Sequence, residues 1–186
     1  MQLTGLSDHD VSEAIYLRDP DFHGIEIYAD RPRELWEGDV AQRLTTEPLD
    51  VESLLGELES PADEPFDGLP DGTRMGHVHL QVADVESTLA FYRDRLGFDL
   101  MAQLGDQAVF LAAGGYHHHV GGNTWQSRGA SPPPPGAAAL RHATIVFPDA
   151  ASRDAAAAAV GAEAERDDGP LVRDPSGTAL VLTTRA

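Results

Sequence analysis

The stretch His77-Val78-His79-Leu80-Gln81-Val82-Ala83-Asp84 decides how this chain is read. It alternates strictly, with Val78, Leu80 and Val82 on one side of a strand and His77, His79 and Gln81 on the other. The aliphatic side asks for a helix to cover it. The side of imidazoles and amide suits the lining of a cleft. The pattern returns sixty-five positions on, from 77 to 142, in His142-Ala143-Thr144-Ile145-Val146-Phe147-Pro148-Asp149. There Ala143, Ile145 and Phe147 make the apolar side, and His142 and Thr144 the polar one. Both copies open on His, reach Asp seven positions later and run into a helix, expected over 87–96 and 151–160. This is an internal duplication, and it sets the architecture.

Each copy extends into the same series of elements. After strand 77–82 comes a helix with Leu89, Tyr92 and Leu96 inward, then strands near 98–104, 107–113 and 116–120. Residues 126–138, with four consecutive prolines, form an exposed loop between the halves. The second half has strand 142–147, an alanine-rich helix, and strands near 162–166, 170–173 and 178–183. Each half is βαβββ, so residues 75–186 are expected to form a complete α+β domain.

The N-terminal part is less regular. Strands 12–17 and 25–28 flank the turn Asp19-Pro20-Asp21-Phe22-His23-Gly24, making a hairpin with no strand or helix before it to bury it. The form repeats at the far end of the chain, where Arg173-Asp174-Pro175-Ser176-Gly177 leads into strand 179–182. Residues 1–33 therefore read as the terminal hairpin of an upstream domain of the same kind, which would need roughly 80 residues before Met1. Residues 34–74 connect the two parts. Within them, 50–58 suit a short helix capped by Asp50, with Val51, Leu54, Leu55 and Leu58 on one stripe, and 60–73 read as acidic linker.

Composition narrows the function classes. The chain has 186 residues, enough for one full domain and some extra, and 41% hydrophobic content, enough for a real core. It has no apolar run of membrane-spanning length and no signal peptide, so a soluble cytoplasmic protein is expected. With no cysteine, any metal must be held by His, Asp, Glu or water. Acids outnumber bases 31 to 13, every base is Arg, and the net charge is −18, which argues against nucleic acid and anionic membranes as partners. A GC-rich genome would account for this, but a halophilic, salt-screened surface is the preferred reading.

Several motifs together resemble a known superfamily. They are Gly76-His77-Val78-His79-Leu80, Phe91-Tyr92 with Leu96-Gly97-Phe98, Gly114-Gly115-Tyr116-His117-His118-His119, and Asn123-Thr124-Trp125. Ser12 to Pro20 and Gly24 to Pro32 complete the set. The chain resembles the vicinal oxygen chelate superfamily of glyoxalases, bleomycin resistance proteins and extradiol dioxygenases, and most closely its two-domain catechol 2,3-dioxygenases. The resemblance implies paired βαβββ units forming a U-shaped mixed sheet around one divalent metal. In the dioxygenases that metal is Fe(II), held by two His and one Glu, with positions left open for a small aromatic substrate and O₂.

Carried over by position, His77 matches the first ligand and His142 the second. The Glu position is Val181 in the complete domain and Glu26 in the N-terminal hairpin. Glu26 would need histidines from the upstream domain. Glyoxalase-type members also draw a ligand from the fourth strand of the first unit, and here His119 matches it, sharing a face with His117 opposite His118. His77, His119 and His142 would then hold Fe(II), Zn²⁺ or Ni²⁺ without a carboxylate, with His79 in support. The readings that follow are a metal-dependent dioxygenase, a metal-free small-molecule-binding or resistance protein, and a structural, non-catalytic domain. The apolar hairpin 12–28 is also expected to lie at a homodimer interface.

Overall fold

The computed structural model describes residues 2–57 and 67–185. They fall into two units, Met1–Gly76 and His77–Ala186. Unit 1 holds strands β1 (Gln2–Asp8), β2 (Ser12–Arg18), β3 (Gly24–Asp30) and β4 (Glu47–Pro48), a 3-10 turn at Arg33–Leu35, and helices α1 (Val40–Arg43) and α2 (Val51–Gly56). Its strands are antiparallel neighbours in the order β3-β2-β1-β4.

Two expectations are corrected here. The hairpin does have a preceding strand, because β1 pairs along β2. Its apolar pattern is hidden by a bulge: the register shifts between Leu3 and Gly5, so Leu3 and Leu6 oppose Leu17 and Ile15 on one face despite their odd spacing. The first half of the expected connector is also structured. Trp36, Val40 and Leu49 are buried, as are Val11 and Ala14 of the hairpin side. The Trp36 indole N–H donates to the Arg31 carbonyl at 3.0 Å. Asp50 caps α2 as expected, accepting the Ser53 N–H at 2.9 Å. The α2 stripe of Val51, Leu54 and Leu55 is not buried, however, and Leu58 and the linker residues 58–66 lie outside the described residues.

In unit 2 the duplication is explicit. The first half is β5 (Val78–Gln81), α3 (Val85–Tyr92), β6 (Asp99–Leu104), β7 (Ala108–Ala112) and β8 (Val120–Asn123). The second is β9 (Ala143–Phe147), α4 (Ala150–Val160), β10 (Ala164–Arg166), β11 (Gly169–Arg173) and β12 (Ala179–Thr184). Each half builds a four-stranded mixed sheet, β5-β8-β7-β6 and β9-β12-β11-β10, in which the first strand runs parallel to the last. The fold is α+β, with paired βαβββ units.

The His-to-Asp spacing has a local cause. Asp84 and Asp149 end their strands and cap the helices that follow, accepting the N–H of Ser87 at 2.7 Å and of Ser152 at 2.8 Å. Helix α3 starts two residues before the expected position for that reason. It ends at Tyr92, and Leu96 is buried from the turn that follows, where Gly97 takes a positive φ of 81°.

One core serves both halves. Leu80, Val82, Leu89, Tyr92, Val109 and Leu111 of the first half pack in the same cluster as Ala156, Ala157, Val172, Leu180 and Leu182 of the second. Polar bonds cross the same boundary. The buried Tyr92 hydroxyl donates to Asp174 Oδ2 at 3.0 Å, and the Ala83 N–H donates to Ser176 Oγ at 3.0 Å. Burial foremost, then the charge of Asp174 and this hydrogen bond, push the Tyr92 phenol far above its ordinary range.

The Asp-Pro turn repeats between the units bond for bond. Asp174 Oδ1 accepts the N–H groups of Ser176 at 2.9 Å and Thr178 at 2.8 Å; Asp19 Oδ1 accepts those of Asp21 at 2.9 Å and His23 at 2.8 Å. The left-handed position of the turn is Gly177 in one copy and Phe22, φ 65°, in the other. Among the described residues no helix is long and apolar enough to cross a membrane.

Unit 1 carries a pH-sensitive ion pair. The Arg31 guanidinium bridges Asp8 and Glu13, and its hydrogen bonds hold the Asp8 carboxyl down at about 2, from 3.8. A depressed carboxyl contributes stability that is fully present above pH 3.8 and is lost as pH falls towards 2. Chemical denaturation of wild type and Asp8→Asn should therefore show a stability gap that closes across this window. A gap that is constant with pH would contradict the assignment.

Candidate functional site

Unit 1 places Glu26 on β3 directly opposite Tyr16 on β2. The Tyr16 hydroxyl donates to Glu26 Oε1 at 3.1 Å. On its other side Tyr16 meets His9 Nε2 at 2.6 Å, and His9 Nδ1 donates to the Thr45 carbonyl at 2.6 Å. The Thr45 carbonyl can only accept, so His9 keeps a proton on Nδ1. Two hydrogen bonds then link His9, Tyr16 and Glu26. Burial first, and then the charge of Glu26 and the bond to it, raise the Tyr16 phenol.

Unit 2 gathers a different set of imidazoles. His77, just ahead of β5, lies with its ring centroid 4.2 Å from that of His118 and 6.4 Å from that of His117. His117 and His118 are buried, and their Nδ1 atoms meet at 2.8 Å, one donating and one accepting. The expected strand over 116–120 begins only at Val120, because Gly114 and Gly115 both take positive φ and turn the chain first. The expected alternation of His117 and His119 against His118 therefore does not apply.

His119 Nδ1 accepts the Ala113 N–H at 3.2 Å, and its ring lies 4.9 Å from Tyr116. His142, just ahead of β9, is half-buried, and its charge is one of the lesser influences that hold Asp168 below the usual carboxylate range, the hydrogen bond from Arg166 being the first. Val181, at the position matched to a carboxylate, is fully buried in β12 between Leu180 and Leu182. Among the described residues no group of three or more His, Asp or Glu side chains is arranged to hold a metal. Glu26 is the one carboxylate among the matched positions.

His79 is the best-defined imidazole. Asn123 Oδ1 accepts the Trp125 N–H at 3.2 Å, which orients the amide so that Nδ2 donates to His79 Nε2 at 2.9 Å. His79 is thus neutral, with its proton on Nδ1. Its ring lies across bare Gly121, where a Cβ would come within 2.7 Å of Nδ1, and between Phe110 and Trp125 at 5.8 and 6.0 Å. Sequence reading missed Asn123 and Gly121 as its supports. The signal was their two-residue spacing on one strand face.

These features fit one protein class, that of paired βαβββ units. Residues 74–182 match the Glyoxalase/Bleomycin resistance protein/Dioxygenase superfamily, and the chain belongs to it. It is similar to a catechol-2,3-dioxygenase of Bacillus subtilis (strain 168), at 48% identity over 113 residues, which is 59% of this chain and 39% of that protein. The chain thus spans well under half the length of this curated relative. Among solved structures it is similar to a lactoylglutathione lyase from Agrobacterium tumefaciens, with 22% identity, a TM-score of 0.44, and 62% of this chain and 96% of that one covered. A glyoxalase/bleomycin resistance protein/dioxygenase from Alicyclobacillus acidocaldarius matches at 16% identity and a TM-score of 0.46, over 62% of this chain and 94% of that one.

The two raised phenols give a spectroscopic check. Glu26→Gln removes both the charge and the carboxylate acceptor that oppose Tyr16 ionisation, so one tyrosine should titrate at lower pH in the variant. Ultraviolet titration at the phenolate band should show this single shift while Tyr92 stays un-ionised. An unchanged titration would show that Glu26 does not act on Tyr16.

Proposed function

We propose that this chain serves a metal-dependent dioxygenase of the catechol-cleaving type, to which it contributes the Glu26 carboxylate, while unit 2 is a non-catalytic framework. The observation that carries this reading is the contrast between the two matched positions. Glu26 is a carboxylate held by a tyrosine on a strand face, and Val181 is an aliphatic core residue. The likeness to a catechol-2,3-dioxygenase supports the reaction class. In this reading Fe(II) supplies the Lewis acid and redox chemistry, and the substrate is a small aromatic diol. The role of Tyr16 and His9 is to fix the rotamer of Glu26.

Unit 2 keeps its imidazoles for packing and hydrogen bonding. His117 and His118 bond each other, His79 bonds Asn123, and His119 receives a backbone N–H. A site on His77, His119 and His142 would have to draw these side chains together, and His119 would surrender its bond to Ala113.

Two measurements test this. The purified chain, without an affinity tag of histidines, should take up less than one equivalent of Fe(II), Zn²⁺ or Ni²⁺, and His77→Ala should leave that uptake unchanged. Supplied with Fe(II) and catechol, it should show little or no ring cleavage. Ordinary turnover that survives Glu26→Gln would overturn the reading, and so would stoichiometric metal lost in His77→Ala.

A further inference from the structure

The loop that joins the halves of unit 2 is fastened to both of them. Ser127, buried at its start, donates through Oγ to the Val82 carbonyl at 2.9 Å. The Gly129 N–H donates to the Ala83 carbonyl at 2.8 Å. Ala83 in turn donates its own N–H to Ser176 Oγ, in the Asp174 turn of the second half. One residue just past β5 therefore holds the loop with its carbonyl and the turn with its N–H.

Beyond Gly129 the fastening changes character. Residues 128–141 are exposed, and Pro132 to Pro135 have no N–H to donate. The run is stiff, because each ring fixes its own φ. It meets the second half through a ring contact. A Cβ built at Gly177 would come within 3.0 Å of Pro132 Cβ and Cγ, so the bare glycine is the seat of that ring. Gly177 is the left-handed position of the Asp174 turn, whose carboxylate accepts Tyr92, Ser176 and Thr178. The equivalent position in unit 1 is Phe22, 71% exposed, which puts a side chain where Gly177 offers a seat.

We propose that residues 130–135 are a strap that closes over the Asp174 turn, with Pro132 as its catch. Gly129 and Gly136, at φ 68° and 85°, bracket the strap and serve as its hinges. Closed, the strap keeps water from the turn that carries the bond between the halves. Open, it exposes that turn while the core cluster stays packed, so the opening is local. The stiffness of the proline run makes the strap lift as one piece.

Residue-resolved hydrogen exchange on the full chain tests this. The reporters are the N–H groups of Ser176, Gly177 and Thr178, all bonded to Asp174. Pro132→Gly removes the catch and should speed their exchange by about tenfold or more, with β7 unchanged. Pro134→Gly loosens the same run but keeps the Pro132 ring, and its effect should be several times smaller. The turn at Asp19 has the same bonds and carries Phe22, so its Asp21 and His23 amides should exchange alike in all three proteins. Unchanged exchange at 176–178 in Pro132→Gly, an equal effect of Pro134→Gly, or an equal acceleration in β7 would each overturn the proposal.

Discussion

The hydrogen bond from Tyr92 to Asp174 is the constraint on which unit 2 depends. It joins the C-terminal end of α3 to the turn between β11 and β12, and so ties one βαβββ half to the other. Asp174 is buried and accepts three bonds, from Tyr92, Ser176 and Thr178. Losing one leaves a buried carboxylate short of a donor, at a cost of about 1–3 kcal/mol. The same turn in unit 1 spends its second carboxylate oxygen on His23, 3.1 Å away, so the device is local there and not a tie between halves.

Packing also decides where chemistry is permitted. Along β12, Leu180, Val181 and Leu182 are all buried, as a strand covered on both faces must be. A carboxylate at 181 would be desolvated among these core residues. On β3 the corresponding position is half-buried and faces a tyrosine, which satisfies Glu26 without neutralising it. One repeat therefore carries a carboxylate at this position and the other a core residue.

Much of unit 2 was legible in the sequence because its strands alternate and its helices are capped by Asp84 and Asp149 at equal distances from His77 and His142. The Asp-Pro echo was legible too, and the paired turns confirm it atom by atom. β1 was not, because its bulge breaks the period on which strand reading relies. The order of the three consecutive histidines was not, because two left-handed glycines shift the start of β8 past them. Trp36 and Val40 read as connector because their burial depends on tertiary contacts that no local pattern encodes. For the candidate site, the sequence singled out His77, His119 and His142, with His79 in support and Glu26 in the other unit. Which of them would meet depended on rotamers and loop paths that spacing does not carry.

The most direct measurement is a double-mutant cycle on the bond between the halves. Wild type, Tyr92→Phe, Asp174→Asn and the double variant would be unfolded in urea, following a probe in unit 2. The account predicts a coupling energy of about 1–3 kcal/mol between the two positions. Effects that simply add, with coupling near zero, would contradict it, since Tyr92 and Asp174 would then not be holding the two halves together through each other.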